Sequence, residues 1–248
     1  MSITLETLLI FFALALLAEI AGTVGGFGSS MFFVPIAGYF FDFHSVLGIT
    51  AIFHLSSNLS KIYFFRKGFD KKLLIKLGIP AVIMVLIGAR LSKYIDPVYL
   101  ELSLSIFLIT MSLLFLLRPN LSLKPTDANA IGGGILSGFI AGILGTGGAV
   151  RGLTLAAFAL SSSVFIATSA LIDLGIDATR SVVYFANGYM HKHDLYLVPV
   201  LIIAGITGTF LGKKILERVS DGQFKTLVLL LILATGIGTL TGIIIKQF

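Results

Sequence analysis

Arg151 carries the sharpest chemical signal in this chain of 248 residues. It stands three residues past Gly148 in "GGAVRGLTLAAF", far from either flanking polar loop. A guanidinium inside an apolar segment is costly, and turns toward a cavity or a counter-ion. Its planar fork suits two-point recognition of an oxyanion. Downstream, Asp173, Asp177 and Arg180 are spaced four and three apart, so they share one helical face. Upstream, His54, Asn58 and Lys61 repeat that spacing, and Glu19 lies within the first apolar run. Lys61, Arg151 and Arg180 thus accompany Glu19, Asp173 and Asp177 among apolar neighbours, and buried charges of this kind persist when compensated.

Two uses of these residues compete. Arg151 either contacts an anionic substrate or is spent on Asp173, Asp177 or Glu19. Asp177 and Arg180 either face a site or form an intrahelical pair. Lys61 either reaches inward or snorkels toward Arg66. His54 is either a proton carrier or a hydrogen-bonded core residue. Glu19 is either a proton-coupling carboxylate or the partner of a buried cation.

Two glycine-rich stretches lie beside these charges. "AGTVGGFGSSMFFVP" (21–35) holds Gly25, Gly26, Gly28, Ser29 and Ser30, and "AGILGTGGAVRG" (141–152) holds Gly145, Gly147 and Gly148. Glycine weakens a helix. In a bilayer the freed backbone groups must face protein or a polar cavity. A short helix starting at such a break points its positive end and unpaired N–H groups at the gap, which makes an anion site from backbone. The plainer reading, that small residues let helices pack closely, is weakened because both copies open a segment too short to span. The expected substrate-binding set is Gly25, Gly26, Gly28, Ser29, Ser30, Asn58, Lys61, Gly145, Gly147, Gly148, Arg151 and Arg180. Glu19, His54, Asp173 and Asp177 are expected to serve coupling and charge compensation.

The elements that position these residues follow from composition and repetition. The chain is 56% hydrophobic and 12% charged, with a mean hydropathy of +1.02, whereas soluble domains carry about 25% charged residues. Apolar runs near the roughly 20 residues needed to cross a bilayer recur throughout. The fold class is therefore an all-α polytopic membrane protein. The first run lacks a positive leader, and its apolar pattern continues past any cleavage point, so it reads as a span and not a signal peptide. With no cysteine, disulfides, thiol chemistry and cysteine-bound metals are excluded. The net charge of +6 is assigned to cytoplasmic loops, and nucleic acid is not expected as a partner.

A shift of 120 residues brings Ala21, Gly22, Gly25 and Gly28 onto Ala141, Gly142, Gly145 and Gly148. The same shift pairs Gly68 with Gly188, Gly88 with Gly208, and Lys93 with Lys213. This divides the chain into an N-terminal repeat, 1–120, and a C-terminal repeat, 128–248, forming one transmembrane domain. Each half is expected to hold five segments: 3–24, 29–41, 45–66, 73–94 and 98–117, then 129–145, 149–160, 163–186, 195–215 and 223–245. At about 1.5 Å per residue the second segment of each half is too short for a core of about 30 Å. The expected architecture is therefore about 8–10 membrane segments, with glycine-broken half-helices and three full spans per half.

Loop charges favour inversion of one half relative to the other. Inverted halves gather Arg66, Lys67, Lys71, Lys72, Arg118, Lys124, Lys213, Lys214 and Arg218 inside, and leave Arg90, Lys93, Lys192 and Lys246 outside. Both termini then lie outside a cytoplasmic (inner) membrane. Inverted repeats with paired broken helices are an architecture of secondary transporters, with the site near the midplane.

The doubled pattern Gly22-Thr-Val-Gly25-Gly26-Phe-Gly28 and Gly142-Ile-Leu-Gly145-Thr-Gly147-Gly148 resembles the sulfite exporter TauE/SafE family, as do "YFFRKG" (63–68), "GARL" (88–91) and the overall length. The resemblance covers nearly the whole chain. It implies a secondary carrier of sulfite, sulfonates or related organic anions, coupled to protons, with Gly25–Ser30 and Gly145–Arg151 lining the path. The chain departs from the family pattern in having Leu155 where Pro35 is matched in the first half.

The expected function is thus alternating-access anion transport, with an anion channel of the same fold as the alternative. An intramembrane enzyme would have only Ser29, Ser30 and His54 to work with, and no triad is visible around them. No cofactor is expected. His191, His193 and Asp194 in "HKHD" read as a solvated loop and not a metal site.

Overall fold

The computed structural model describes residues 4–26, 28–191, 195–218 and 221–247, and these form helices and connecting turns with no strand among them. Ten helices follow in order: α1 (Leu5–Gly25), α2 (Ser30–Ala37), α3 (Phe43–Phe64), α4 (Lys71–Tyr94), α5 (Pro97–Leu117), α6 (Asp127–Leu144), α7 (Gly148–Ala156), α8 (Ser162–Ala186), α9 (Leu197–Leu216) and α10 (Asp221–Gln247). Each expected segment matches one helix, with ends shifted by a few residues. His193, Asp194 and Lys192 lie outside the described residues.

Local chemistry sets the boundaries. Asp42 caps α3 by accepting from the Ser45 amide at 3.0 Å, and Asp70 caps α4 by accepting from the Leu73 amide at 2.9 Å. Thr126 does the same for α6 at Asn129. Asp96 followed by Pro97 starts α5, a proline at the first helical position being pre-set for the helix. Inside α4 the stretch Leu74–Gly78 widens into a π-turn just before Pro80, whose ring and missing N–H disfavour a regular turn there.

Seven helices, α1, α4, α5, α6, α8, α9 and α10, are long and apolar enough to cross a membrane. The chain is thus an all-helical, multi-pass membrane protein. Helix α3 has a spanning length of 22 residues but carries the stripe of Ser57, Asn58, Ser60 and Lys61, all buried. It is enclosed between α8 and α9. Its polar groups therefore face protein and not lipid.

Two crossings are built on glycine. In α6, Gly134, Gly138 and Gly142 approach the backbone of α4 so closely that a Cβ would strike the carbonyl oxygens of Leu77, Ala81 and Val85. In α9, Gly208 rests on Glu19 and Leu16 of α1, and Gly212 rests on Thr23 and Ile20. Small residues allow this contact, which in a bilayer gains packing where no hydrophobic force is available. Both pairs run parallel, because the contacting residues rise in number together.

Helices α3 and α8 run antiparallel. Ser45 at the start of α3 meets His191 past the end of α8, Asn58 meets Asp177 midway, and Asp70 past the end of α3 meets Thr168 in the first turns of α8. The loops that follow α3 and α8 are therefore at opposite ends of this pair. The main apolar core joins α1, α2, α3, α5, α9 and α10; it holds the rings of Phe11, Phe33 and Phe53, with the partly buried Phe40 and Phe41 packed against Phe11.

Candidate functional site

Each helix that ends in a glycine break does so through a left-handed residue. Gly26 closes α1 at φ 73° and Gly145 closes α6 at φ 74°. An L side chain at either position is strained. The chain then doubles back. A Cβ on Gly22 would strike the backbone at Ser29, and one on Gly147 would strike the Ser137 carbonyl. The short helices α2 and α7 therefore begin deep inside the molecule, beside the helices they follow.

Their N-termini face one another across a small cavity. Gly28, Ser29 and Ser30 line it from the first break, and Gly145, Gly147 and Gly148 from the second. Thr146 donates to Ser30 across the gap at 3.0 Å. In α2 the first amides to find a backbone carbonyl are those of Phe32 and Phe33, and in α7 that of Arg151. The amides before them lack an intrahelical acceptor, as helix geometry requires, and Ser30 and Gly148 of these first turns line the cavity. The rest of the wall comes from α3 and α8, through His54, Asn58, Lys61, Asp173, Asp177 and Arg180, with Arg151 from α7. The cavity holds about 20 Å³ open to the centres of water molecules. That is room for about one water, by the rule of roughly 10–15 Å³ each.

The expected residues converge, but in three different arrangements. Glu19 is fully buried behind the first break, and Lys61 pairs with it at 2.8 Å. Four hydroxyls also donate to this carboxylate: Thr23 at 3.0 Å, Ser57 at 2.7 Å, Thr209 at 3.0 Å and Ser29 at 2.6 Å. Lys61 thus turns inward, away from the surface at Arg66, because a carboxylate and the Ser57 hydroxyl at 2.9 Å satisfy it there.

The second arrangement is Arg180, whose Nε donates to Asp177 at 2.7 Å while Asn58 donates to the other carboxylate oxygen at 2.7 Å. Its Nη1 donates to the Gly145 carbonyl at 2.7 Å. The Tyr184 hydroxyl donates to the Gly142 carbonyl at 2.7 Å. Arg180 and Tyr184 therefore cap the carbonyl end of α6, where the break leaves acceptors without amides. Arg151 makes the third arrangement. Its Nη2 pairs with Asp173 at 2.5 Å and its Nε donates to Ser169 at 3.0 Å. The bare Cα of Gly28 leaves space beside that Nη2 group.

His54 joins the first arrangement to the second. The single Ser29 hydroxyl proton goes to Glu19, so the Nε2–H of His54 must donate to Ser29 at 3.1 Å. Its Nδ1 then accepts from Arg180 Nη2 at 3.2 Å. The network is complete with His54 as the neutral Nε2–H tautomer.

Gly25 lines neither this cavity nor its neighbour, and Gly26 lines only the neighbour, a second space of about 20 Å³ beside Phe165 and Ile166. Gly25 and Gly26 shape the break without facing the centre. Thr23, Ser57, Thr146, Ser169, Tyr184 and Thr209 were not among the expected site residues. Ser57 and Ser169 sit one helical turn from Lys61 and Asp173, and that spacing is the signal that could have found them. Larger recesses elsewhere, of about 140 Å³ between α2, α5 and α10 and about 600 Å³ along α3 and α9, are mostly apolar. Among the described residues no group of His, Asp and Glu side chains could hold a metal ion.

Neither the curated proteins nor the solved structures compared with the chain gave a match. The model of the sulfite exporter TauE/SafE family, in contrast, matches residues 11–239, and the chain belongs to that family of membrane transporters.

Proposed function

We propose that the protein is a secondary-active carrier of small oxyanions, sulfite or a sulfonate, that works by alternating access and couples anion movement to protons. The observation that carries this reading is Arg151. It stands at the meeting point of two helix N-termini, 3% exposed, and among the described residues its side chain pairs with a carboxylate and a hydroxyl. The cavity meets the positive dipole ends of both α2 and α7, and the Arg151 guanidinium stands among them. Carriers of this type keep the site near the midplane, between repeats.

The packing supports two repeats, 1–120 and 128–248. Exchanging α1–α5 for α6–α10 turns the pair α1 and α9 into α6 and α4, and the pair α3 and α9 into α8 and α4, all of which pack in the structure. The exchange maps the antiparallel pair α3 and α8 onto itself. Only a two-fold axis lying in the membrane plane does that, which supports inversion, with both termini outside a cytoplasmic membrane. Rocking of one repeat against the other would open the small central cavity to alternate sides.

Replacement of Arg151 tests the reading. In vesicles reconstituted with the full chain, Arg151→Ala is expected to lower sulfite uptake 10- to 100-fold, roughly the 1.5–3 kcal/mol of a charge-assisted contact. Arg151→Lys keeps the charge without the fork and is expected to fall between. Uptake unchanged in Arg151→Ala refutes the assignment.

A further inference from the structure

We infer that the Asp173 carboxylate is the resident occupant of the anion seat on Arg151, and that an entering oxyanion takes the seat when Asp173 leaves it as the protonated acid. This rests on the anion-carrier reading and names the residue that couples it to protons.

The three ion pairs differ in access. Glu19 is 0% exposed and is held by Lys61 and four hydroxyls. The Asp177 and Arg180 side chains are 3% and 2% exposed, and both are tied to other partners. The third pair is uneven: the Arg151 side chain is 4% exposed and the Asp173 side chain 18%. Asp173 also lines both small cavities, together with Lys61 and Gly28, so it stands between the central space and the one beside Phe165. It is the carboxylate with somewhere to go.

Volume makes the exchange compulsory. With about 20 Å³ free, the cavity takes about one water and cannot take an oxyanion beside the carboxylate. A carboxylate already makes with Arg151 the contact a sulfonate would make. The two compete for one guanidinium.

Charge then sets the stoichiometry. Around Asp173 stand Arg151 from α7, Lys61 and His54 from α3, Asp177 and Arg180 from α8, and Glu19 from α1 beyond Lys61. In the resting arrangement the Asp173 carboxylate has the Arg151 guanidinium as its counter-ion. When an anion arrives at Arg151, the displaced carboxylate loses its cation and gains a negative neighbour, and both changes favour taking up one proton. The carboxylate becomes the acid, the anion replaces it, and the local charge is unchanged. Binding of anion and proton are therefore mutually favourable, by the same factor in each direction.

The test is binding of methanesulfonate and sulfite to the purified full chain, by calorimetry or by thermal stabilisation. Methanesulfonate keeps its charge across the range, so a pH response with it belongs to the protein. Wild type is expected to bind it more tightly as pH falls from about 8 to about 5.5, with at most about tenfold per pH unit for one linked proton. Asp173→Asn, and Asp173→Ser as a second variant should the first fold poorly, are expected to bind at least about tenfold more tightly than wild type at about pH 8, with the slope lost. Asp173 variants that bind no more tightly at that pH, or that keep the wild-type slope, overturn the inference while leaving the carrier reading in place. Failure of wild type to bind either anion at any pH, or binding unaffected by Arg151→Ala, overturns both.

Discussion

Lys61 and Glu19 offer a measurement of what the buried charges cost and how they are held. Glu19→Gln keeps the shape of the side chain but leaves the ammonium of Lys61, whose side chain is 10% exposed, without its counter-ion. Lys61→Met leaves the Glu19 carboxylate, 0% exposed, to its four hydroxyls. Removing one member of a buried pair costs about 3–5 kcal/mol, because the other charge stays buried. Replacing both members is often close to neutral. Here the hydroxyls of Thr23, Ser29, Ser57 and Thr209 must reorient around a Gln amide, so the double variant is expected to lose about 1–3 kcal/mol, roughly one loss per poorly paired group. The double variant is thus more stable than the sum of the singles by about 3 kcal/mol or more, at the upper end of measured couplings. Denaturant unfolding of the purified protein in one detergent, in buffer free of oxyanions, provides the readout. Losses that add to within about 0.5 kcal/mol would show that the two groups are not coupled, and the first of the three arrangements would be refuted.

Other outcomes follow from the packing and the helix ends. Gly138→Val places a branched side chain against the Ala81 carbonyl of α4, where there is no room even for a Cβ; severe destabilisation, above about 3 kcal/mol, is expected, and a melting temperature equal to wild type contradicts the crossing. Arg180→Gln removes the donor to the Gly145 carbonyl and the partner of Asp177. It is expected to cost about 3–5 kcal/mol as a broken buried pair, with Asp177→Asn in the same chain recovering part of that loss. Cysteines placed singly at Phe69 and Met190, in a chain that has none, are expected to label from opposite sides of the membrane with an impermeant reagent. Labelling from one side refutes inversion.

Much of the helical plan was legible because membranes simplify the rules. Apolar length marks α1, α4, α5 and α8, and the glycines at 25–28 and 145–148 mark where α1 and α6 end, since left-handed backbone at Gly26 and Gly145 needs glycine. The spacing of Asp173, Asp177 and Arg180 placed them on one face and left open whether Asp177 and Arg180 pair or face a site; in the structure they do both. The choice among Asp173, Asp177 and Glu19 as the partner of Arg151 was not legible, because it depends on how α7 packs on α8. Of the four hydroxyls on Glu19, Thr23 lies one turn along α1, but the others come from the first break, from α3 and from α9, and no periodicity joins those positions to Glu19. Lys61 was ambiguous for the same reason: its inward turn is decided by Glu19, across a helix interface. Gly25 and Gly26 were read as facing the substrate because the pattern marks the break, but not which of its residues faces inward.

The equal number of cations and carboxylates at the centre has an electrical consequence. Lys61, Arg151 and Arg180 are matched by Glu19, Asp173 and Asp177 through three direct pairs. A centre with zero formal charge can pass from one side of the bilayer to the other without working against the membrane voltage, which otherwise opposes or drives each moving charge by about 2.3 kcal/mol per 100 mV. Under the coupling proposed above, a monovalent anion that enters with one proton leaves that balance intact, and the loaded and empty proteins would both turn over without current. The voltage of an energised membrane would then neither hasten export nor drag the substrate back, and the gradients of anion and proton alone would set its direction.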